Sequence, residues 1–270
     1  MEDNKVLRVA LLQMKVALGE ATQNYQTFQR LAAEAMEEKP DVLVLPELWN
    51  TGFYPSPIRD FAAAEEKRAV ALLAATAEKY GVHIVGGSIP TLEGDKVYNT
   101  SLVFNRQGEQ IAAYRKVHLF SPGGEDREFT PGDAIAGFEL DGVKCATAIC
   151  YDLRFPEIMG VMARRGAQII FLPAAWPLKR LTHWQVLMRA RAIENQCFVA
   201  AVGGVGFFAG DLPLGGHSAI IDPWGELLAA AAQDEMVVRA VCDTRAIHRA
   251  RRAITVYADR RPELYAKSQL

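Results

Sequence analysis

An internal repeat constrains this chain more than any other feature. VLRVALLQM, starting at Val6, resembles VKCATAICY, starting at Val143. DVLVLPE from Asp41 resembles QIIFLPA from Gln168, and HIVGGSIP from His83 resembles FVAAVGGV from Phe198. LVFNRQGEQIAA from Leu102 resembles AIIDPWGELLAA from Ala219, including the turn glycine and the glutamate after it. Each match is short, and their common order carries the argument. Helical segments lie between the strands. Thr22 is placed to cap a helix to about Glu38, and Phe61–Tyr80 stops at Gly81. Phe155–Arg165 stops at Gly166, and Thr182–Gln196 is amphipathic. Each half therefore reads strand–helix–strand–helix–strand–hairpin.

That alternation gives a mixed sheet with its helices on one side. Two such sheets packed face to face make an α/β fold, a four-layer α-β-β-α sandwich of two pseudo-symmetric halves. At roughly 150 residues per domain, 270 residues is nearly two average domains, so two separate α/β domains are the alternative. No linker rich in Pro, Gly or Ser separates the halves around residues 131–142. One domain over residues 1–270 is expected, with a tail from about residue 244 extending from the core.

Charge narrows the partners. Thirty Lys and Arg oppose 32 Asp and Glu, so no global positive field draws the chain to nucleic acid or anionic lipid. The longest apolar runs, such as Ile169–Trp176, are far too short for a membrane span. The polar start Met1-Glu-Asp-Asn-Lys shows no secretory signal, and a cytoplasmic location is expected. The basic run Arg245–Arg252 alternates with Ala and Ile and reads as a solvated helix face. Of the four cysteines, none makes a C-x-x-C pair, and Cys145 and Cys150 sit an odd distance apart on a strand-like run. Free thiols are the simplest reading. There is no H-x-H or H-E-x-x-H, and Gly203–Gly216 lacks the G-K-[ST] ending of a P-loop, so neither a metal nor a nucleotide site is expected.

Three residues at strand ends form a chemically coherent set. Cys150 ends a buried strand where the chain turns toward a helix, with Pro156 near its first position. Glu47 sits at the corresponding strand end of the first half, where a buried acid is costly unless paired. Lys116 ends the strand Ile111–Val117, and alternation sends one of Arg115 and Lys116 inward. A glutamate base, a thiol nucleophile and an ammonium for the oxyanion suit attack on a carbonyl or nitrile carbon. Position alone leaves a Cys–His pair with His118 or His183 open, and a buried structural cysteine is the plain alternative.

The stretches LPELWNTGF with Glu47, YRKVHLF with Lys116 and ICYDLRFPE with Cys150 resemble the nitrilase, or carbon–nitrogen hydrolase, superfamily. The resemblance runs from about Val6 to Tyr257. It implies the sandwich fold, a Glu47–Lys116–Cys150 triad and no cofactor. It also implies a second glutamate between the lysine and the cysteine; Glu125 is the best match and Glu128 the competing one. It implies a homodimer, or a higher homo-oligomer, paired through the segments Phe155–Arg165 and Thr182–Gln196. Cys-Tyr-Asp-Leu-Arg-Phe-Pro-Glu resembles the ω-amidase branch, and THWQVLMRARAIENQ and GGHSAIIDPWGE fit it too. The implied activity is hydrolysis of the terminal amide of a small carboxylate, such as 2-oxoglutaramate or 2-oxosuccinamate. Deaminated-glutathione amidase, carbamoyl-amide hydrolase, nitrilase and a non-catalytic binding protein on the same fold are the alternatives. Arg154, four residues past the nucleophile, is then suited to anchor the substrate carboxylate through its guanidinium fork, unless it pairs with Asp152 or Glu157. The N–H of Tyr151 is expected at the oxyanion, and Tyr54 and Trp176, with Trp49 and Phe53, are candidate pocket walls.

Overall fold

The segment Val6–Gln13 shows why the molecule is layered. Its side chains alternate between two apolar clusters, with Leu7, Val9 and Leu11 in one and Ala10 and Leu12 in the other. A strand buried on both faces must be covered on both. The computed structural model describes residues 5–53, 55–208 and 211–265. In chain order the first half holds β1 (Val6–Gln13), β2 (Lys15–Val16), α1 (Ala21–Met36), β3 (Val42–Val44), α2 (Ile58–Tyr80), β4 (His83–Val85), β5 (Ile89–Glu93), β6 (Lys96–Phe104), β7 (Gln110–Arg115) and the short turn α3 (Glu125–Glu128). The second holds β8 (Gly137–Leu140), β9 (Val143–Thr147), α4 (Pro156–Arg164), β10 (Ile169–Ala174), α5 (Leu181–Asn195), β11 (Phe198–Gly203), β12 (Val205–Gly206), β13 (Ala219–Ile221), β14 (Leu227–Ala230), β15 (Met236–Asp243), α6 (Arg245–Ala253) and α7 (Pro262–Tyr265).

One sheet runs β15-β1-β3-β4-β6-β5, with β7 also on β6; the other runs β14-β13-β11-β10-β9-β8. In each, the first three strands of the repeat are parallel and its hairpin is antiparallel. Parallel neighbours need crossovers, and the helices supply them. α1 and α2 pack on the outer face of the first sheet through Phe28, Leu31 and Leu73. α4 and α5 pack on the outer face of the second through Met159, Met162 and Met188. Between the sheets, Leu7, Val9 and Val44 meet Cys145, Phe171 and Phe198 in a shared core. This is the α-β-β-α sandwich.

Three details differ from the sequence reading. The strand Met236–Asp243 pairs antiparallel with β1 along its whole length, so the end of the second half completes the first sheet. The tail does not simply leave the core: α6 lays Ala246 and Ile247 into the inter-sheet cluster while Arg245, Arg249 and Arg252 face outward. Thr22 is no cap, because α1 begins at Ala21 with no side chain on its first N–H groups.

Candidate active site

The strand bearing Cys150 stops at Thr147, three residues earlier than the sequence implies. The chain then makes one tight helical turn, Cys150–Arg154, before α4 opens on Pro156. Cys150 has φ +46°, a left-handed conformation that costs a non-glycine residue about 1–2 kcal/mol. The buried Asp152 holds it there. Its carboxylate accepts from Ile149 N–H at 2.9 Å, Tyr114 O–H at 2.7 Å and His118 N–H at 3.1 Å. The elbow is thus tied to the end of β7, which also presents Lys116.

Glu47 follows β3 by a different device. The loop Pro46–Leu48 lies against Gly86, Gly87 and Ser88 at the end of β4. Gly87 has φ +61°, and a Cβ there would lie 2.0 Å from the Pro46 carbonyl oxygen. Ser88 N–H donates to that oxygen at 3.2 Å, and its Oγ accepts Leu48 N–H at 3.0 Å. Glu47 is therefore aimed from a loop that only glycine lets approach so closely. It ends the second strand of its half, whereas Cys150 follows the first strand of the other. The two are not equivalents under the repeat, contrary to the sequence reading.

Lys116 lies just past β7, and its direction is the one alternation allows. Arg115 turns outward to Glu93 at 2.8 Å, while the Lys116 side chain is fully buried. Its Nζ donates to Glu47 Oε1 at 2.7 Å and to both Glu125 oxygens at 2.9 and 2.7 Å. Glu125, not the half-exposed Glu128, is the glutamate on Lys116. Asn99 on β6, unnoticed in the sequence, donates its Nδ2 to both glutamates at 2.9 Å. Ala175 N–H, just past β10 in the other sheet, reaches Glu47 Oε2 at 2.9 Å. Glu47 thus bridges the two sheets.

The electrostatics follow from burial. Burial pulls the Lys116 ammonium down, but Glu125 and Glu47 outweigh it and hold the group above its ordinary range. Burial raises Glu125, against the pull of Lys116. Burial and then the Glu47 carboxylate push the Cys150 thiol well up, more than Lys116 lowers it. A buried thiol held well above its ordinary range keeps its proton, and Glu47 lies beside it. Such an arrangement takes the proton off sulfur as sulfur attacks. His118 is held by Asp152 at 2.8 Å and stacked on Phe155, and His183 faces Arg154 at 3.3 Å. Neither histidine stands in Glu47's place.

A small pocket opens onto Cys150. Tyr151, Arg154 and Trp176 line it, as do Phe53 and Arg180. Tyr54 lies outside the described residues. Trp49 is not a wall: it is fully buried beneath α1 against Tyr25 and Phe28. Arg154 pairs with neither Asp152 nor Glu157 and lies 4.7 Å over the Trp176 ring. Arg180 was missed by the sequence reading. Its one signal is place: a cation in the loop after β10, the counterpart of the loop that carries Glu47.

The model of the carbon-nitrogen hydrolase family matches residues 8–252. The chain belongs to the carbon–nitrogen hydrolase family. Among relatives of this carbon–nitrogen hydrolase, 2-oxoglutaramate amidase of Bacillus subtilis (strain 168) is 42% identical over 257 residues, covering 95% of this chain and 98% of the relative. Omega-amidase NIT2 of Danio rerio is 34% identical, covering 96% of each chain. The crystal structure of Saccharomyces cerevisiae Nit3, a member of branch 10 of the nitrilase superfamily, superposes with a TM-score of 0.88 at 32% identity, over 95% of this chain and 97% of that one. A glutamate-to-glutamine mutant of the amidase from Nesterenkonia sp. AN1, with covalent addition of the acetamide moiety of fluoroacetamide at its active site cysteine, superposes with a TM-score of 0.87 at 27% identity, over 97% and 96%.

Proposed function

We propose that this carbon–nitrogen hydrolase is an ω-amidase. It hydrolyses the terminal amide of a small carboxylate, such as 2-oxoglutaramate or 2-oxosuccinamate, and releases ammonia. The observation that carries the reading is the set of contacts behind Cys150. A protonated thiol lies beside a carboxylate fixed by an ammonium, at the floor of a small pocket bearing arginine. The two relatives named as amidases of this kind support the substrate.

Glu47 takes the thiol proton as Cys150 sulfur attacks the amide carbon. The Lys116 ammonium and the Tyr151 N–H hold the oxyanion that forms. The carbon–nitrogen bond breaks as Glu47 returns the proton to the leaving nitrogen, and ammonia departs, leaving a thioester. Glu47 then deprotonates a water that attacks the thioester carbon. The carbon–sulfur bond breaks, the proton returns to sulfur and the acid leaves. Glu125 keeps Lys116 in place, and Arg154 anchors the substrate carboxylate so that the amide carbon lies over sulfur. Trp176 and Tyr151 shape the walls.

The chain is proposed to work as one unit, in the cytoplasm and as a homodimer. Buried, unpaired cysteines support the compartment, and the exposed Val186 and Ile193 on α5 support the interface. The deciding experiment is ammonia release across ω-amides of 2-oxo acids, of amino acids and of neutral acids. Turnover confined to nitriles, or carbon dioxide released with the ammonia, would replace this reading with a nitrilase or a carbamoyl-amide hydrolase. Retained turnover in Cys150→Ala would remove the mechanism.

A further inference from the structure

The pocket above Cys150 carries more charge than one anchoring arginine explains. Arg154 and Arg180 both line it, and among the described residues no aspartate or glutamate lines it with them. Neither guanidinium has an acid within ion-pair distance among the described residues, in a chain whose acids outnumber its bases. Most other partly buried arginines here do find one: Arg106 has Asp41 and Asp141, and Arg191 has Glu194. Trp176 organises the pair. Its ring lies under Arg154 at 4.7 Å, and its indole N–H donates to the Arg180 carbonyl at 2.8 Å. The Arg180 guanidinium lies 5.0 Å over the Phe120 ring. Both cations are thus held on aromatic faces without an acid, and Arg154 spends one fork donor on His183 Nδ1 at 3.3 Å. Burial, and then repulsion from Arg154, lowers Arg180, although a guanidinium keeps its proton throughout. The two charges therefore repel until something anionic enters.

We propose that Arg180 is a specificity-determining residue which, together with Arg154, makes a doubly cationic pocket that accepts ω-amides ending in an anion and rejects those bearing an α-ammonium. This rests on the amidase reading above. A carboxylate entering between the guanidiniums meets donors from both and relieves their repulsion. An α-ammonium beside that carboxylate meets two like charges and no acceptor acid. Specificity here comes from the repulsive element as much as from the attractive one.

The test compares substrates sharing one reacting end: glutaramate, which has a carboxylate and no α-substituent; L-glutamine, which adds the ammonium; and butyramide, which is neutral. The wild type is expected to prefer glutaramate over glutamine by about 100-fold in kcat/KM. Arg180→Gln is expected to lower kcat/KM for glutaramate about 10- to 100-fold, mainly through KM, the scale of one charge-assisted hydrogen bond. It should lower butyramide turnover at least tenfold less and shrink the preference over glutamine. Ratios within one preparation do not depend on how much of it is folded. Arg180→Lys keeps the charge and loses the fork, so it should still reject glutamine while binding glutaramate more weakly. Equal losses on all three substrates, or an unchanged preference over glutamine in Arg180→Gln, would overturn the role of Arg180. Failure of the wild type on every carboxylate amide would instead overturn the amidase reading.

Discussion

Replacing Lys116 by Met separates what the buried cluster does for stability from what it does for chemistry. Lys116 is fully buried and meets three carboxylate oxygens at 2.7, 2.7 and 2.9 Å. At an effective dielectric near 20, a contact at that distance is worth about 6 kcal/mol before desolvation is subtracted. Removing one partner of such a pair leaves net losses of about 3–5 kcal/mol, because the remaining charge stays buried. In a chain of this size, that corresponds to a fall in Tm of roughly 6–20 °C. Lys116→Met should also lose about 100- to 1,000-fold in kcat, the scale of one oxyanion contact. The pH dependence is the sharper readout. The native ammonium is held above its ordinary value, so its contribution is complete at every pH below about 10.5 and fades only above that. Without it, Glu47 and Glu125 face each other across Asn99, and Glu125 is already raised by burial. A carboxyl raised in the folded state stabilises below its unfolded value and loses that contribution as pH rises. The deficit of the variant against the wild type should therefore be larger at pH 8 than at pH 5. Urea titrations at the two pH values measure it. A deficit under 1 kcal/mol, or one that does not shrink on acidification, refutes the account of the cluster.

Three further outcomes follow from the same contacts. Gly87→Ala would place a Cβ 2.0 Å from the Pro46 carbonyl at a positive φ, so it should cost about 2–4 kcal/mol in urea and lower kcat by moving Glu47; a neutral variant would show that the loop is not held there. In Glu47→Gln, the charge that raises the Cys150 thiol is gone while Lys116 remains, so the pH profile of Cys150 alkylation by iodoacetamide should shift to lower pH even as turnover is lost. Peptide mass spectrometry reads it, and a profile unmoved or moved upward contradicts the electrostatics. Burial works against Asp41, but hydrogen bonds from Arg8 and Arg106 lower it to about 2, so its contribution is complete above about pH 4 and is lost as pH falls toward 2. Because Arg8 is half exposed, the effect is about 1 kcal/mol, and Asp41→Asn should flatten that part of the acid-unfolding curve.

Much of this architecture is written in the residues as periodicity and punctuation. Alternating burial on β1, glycine stops such as Gly81, and two matching series of strands dictate the layers, because those signals act over a few neighbouring residues. The inward turn of Lys116 belongs to the same class, since alternation on β7 leaves it no other direction once Arg115 faces out. Glu47 and Cys150 stand out as polar groups at the ends of apolar strands, and the resemblance to carbon–nitrogen hydrolases joins them. The left-handed turn at Cys150 does not show, because it is imposed by Asp152 reaching Tyr114 on β7 and His118 just past it. The choice of Glu125 over Glu128 depends on where a four-residue turn sets its side chains against Lys116. Asn99 looks like any polar residue on a strand until β6 brings it between two glutamates. Arg180 looks like any loop cation until β10 and α5 set it beside Arg154. Local patterns along the chain settle which elements form and which faces they bury. The charge of the pocket and the pairing of its buried ions come from segments as many as 128 residues apart, as between Glu47 and Ala175, and arise only when the two sheets close on each other.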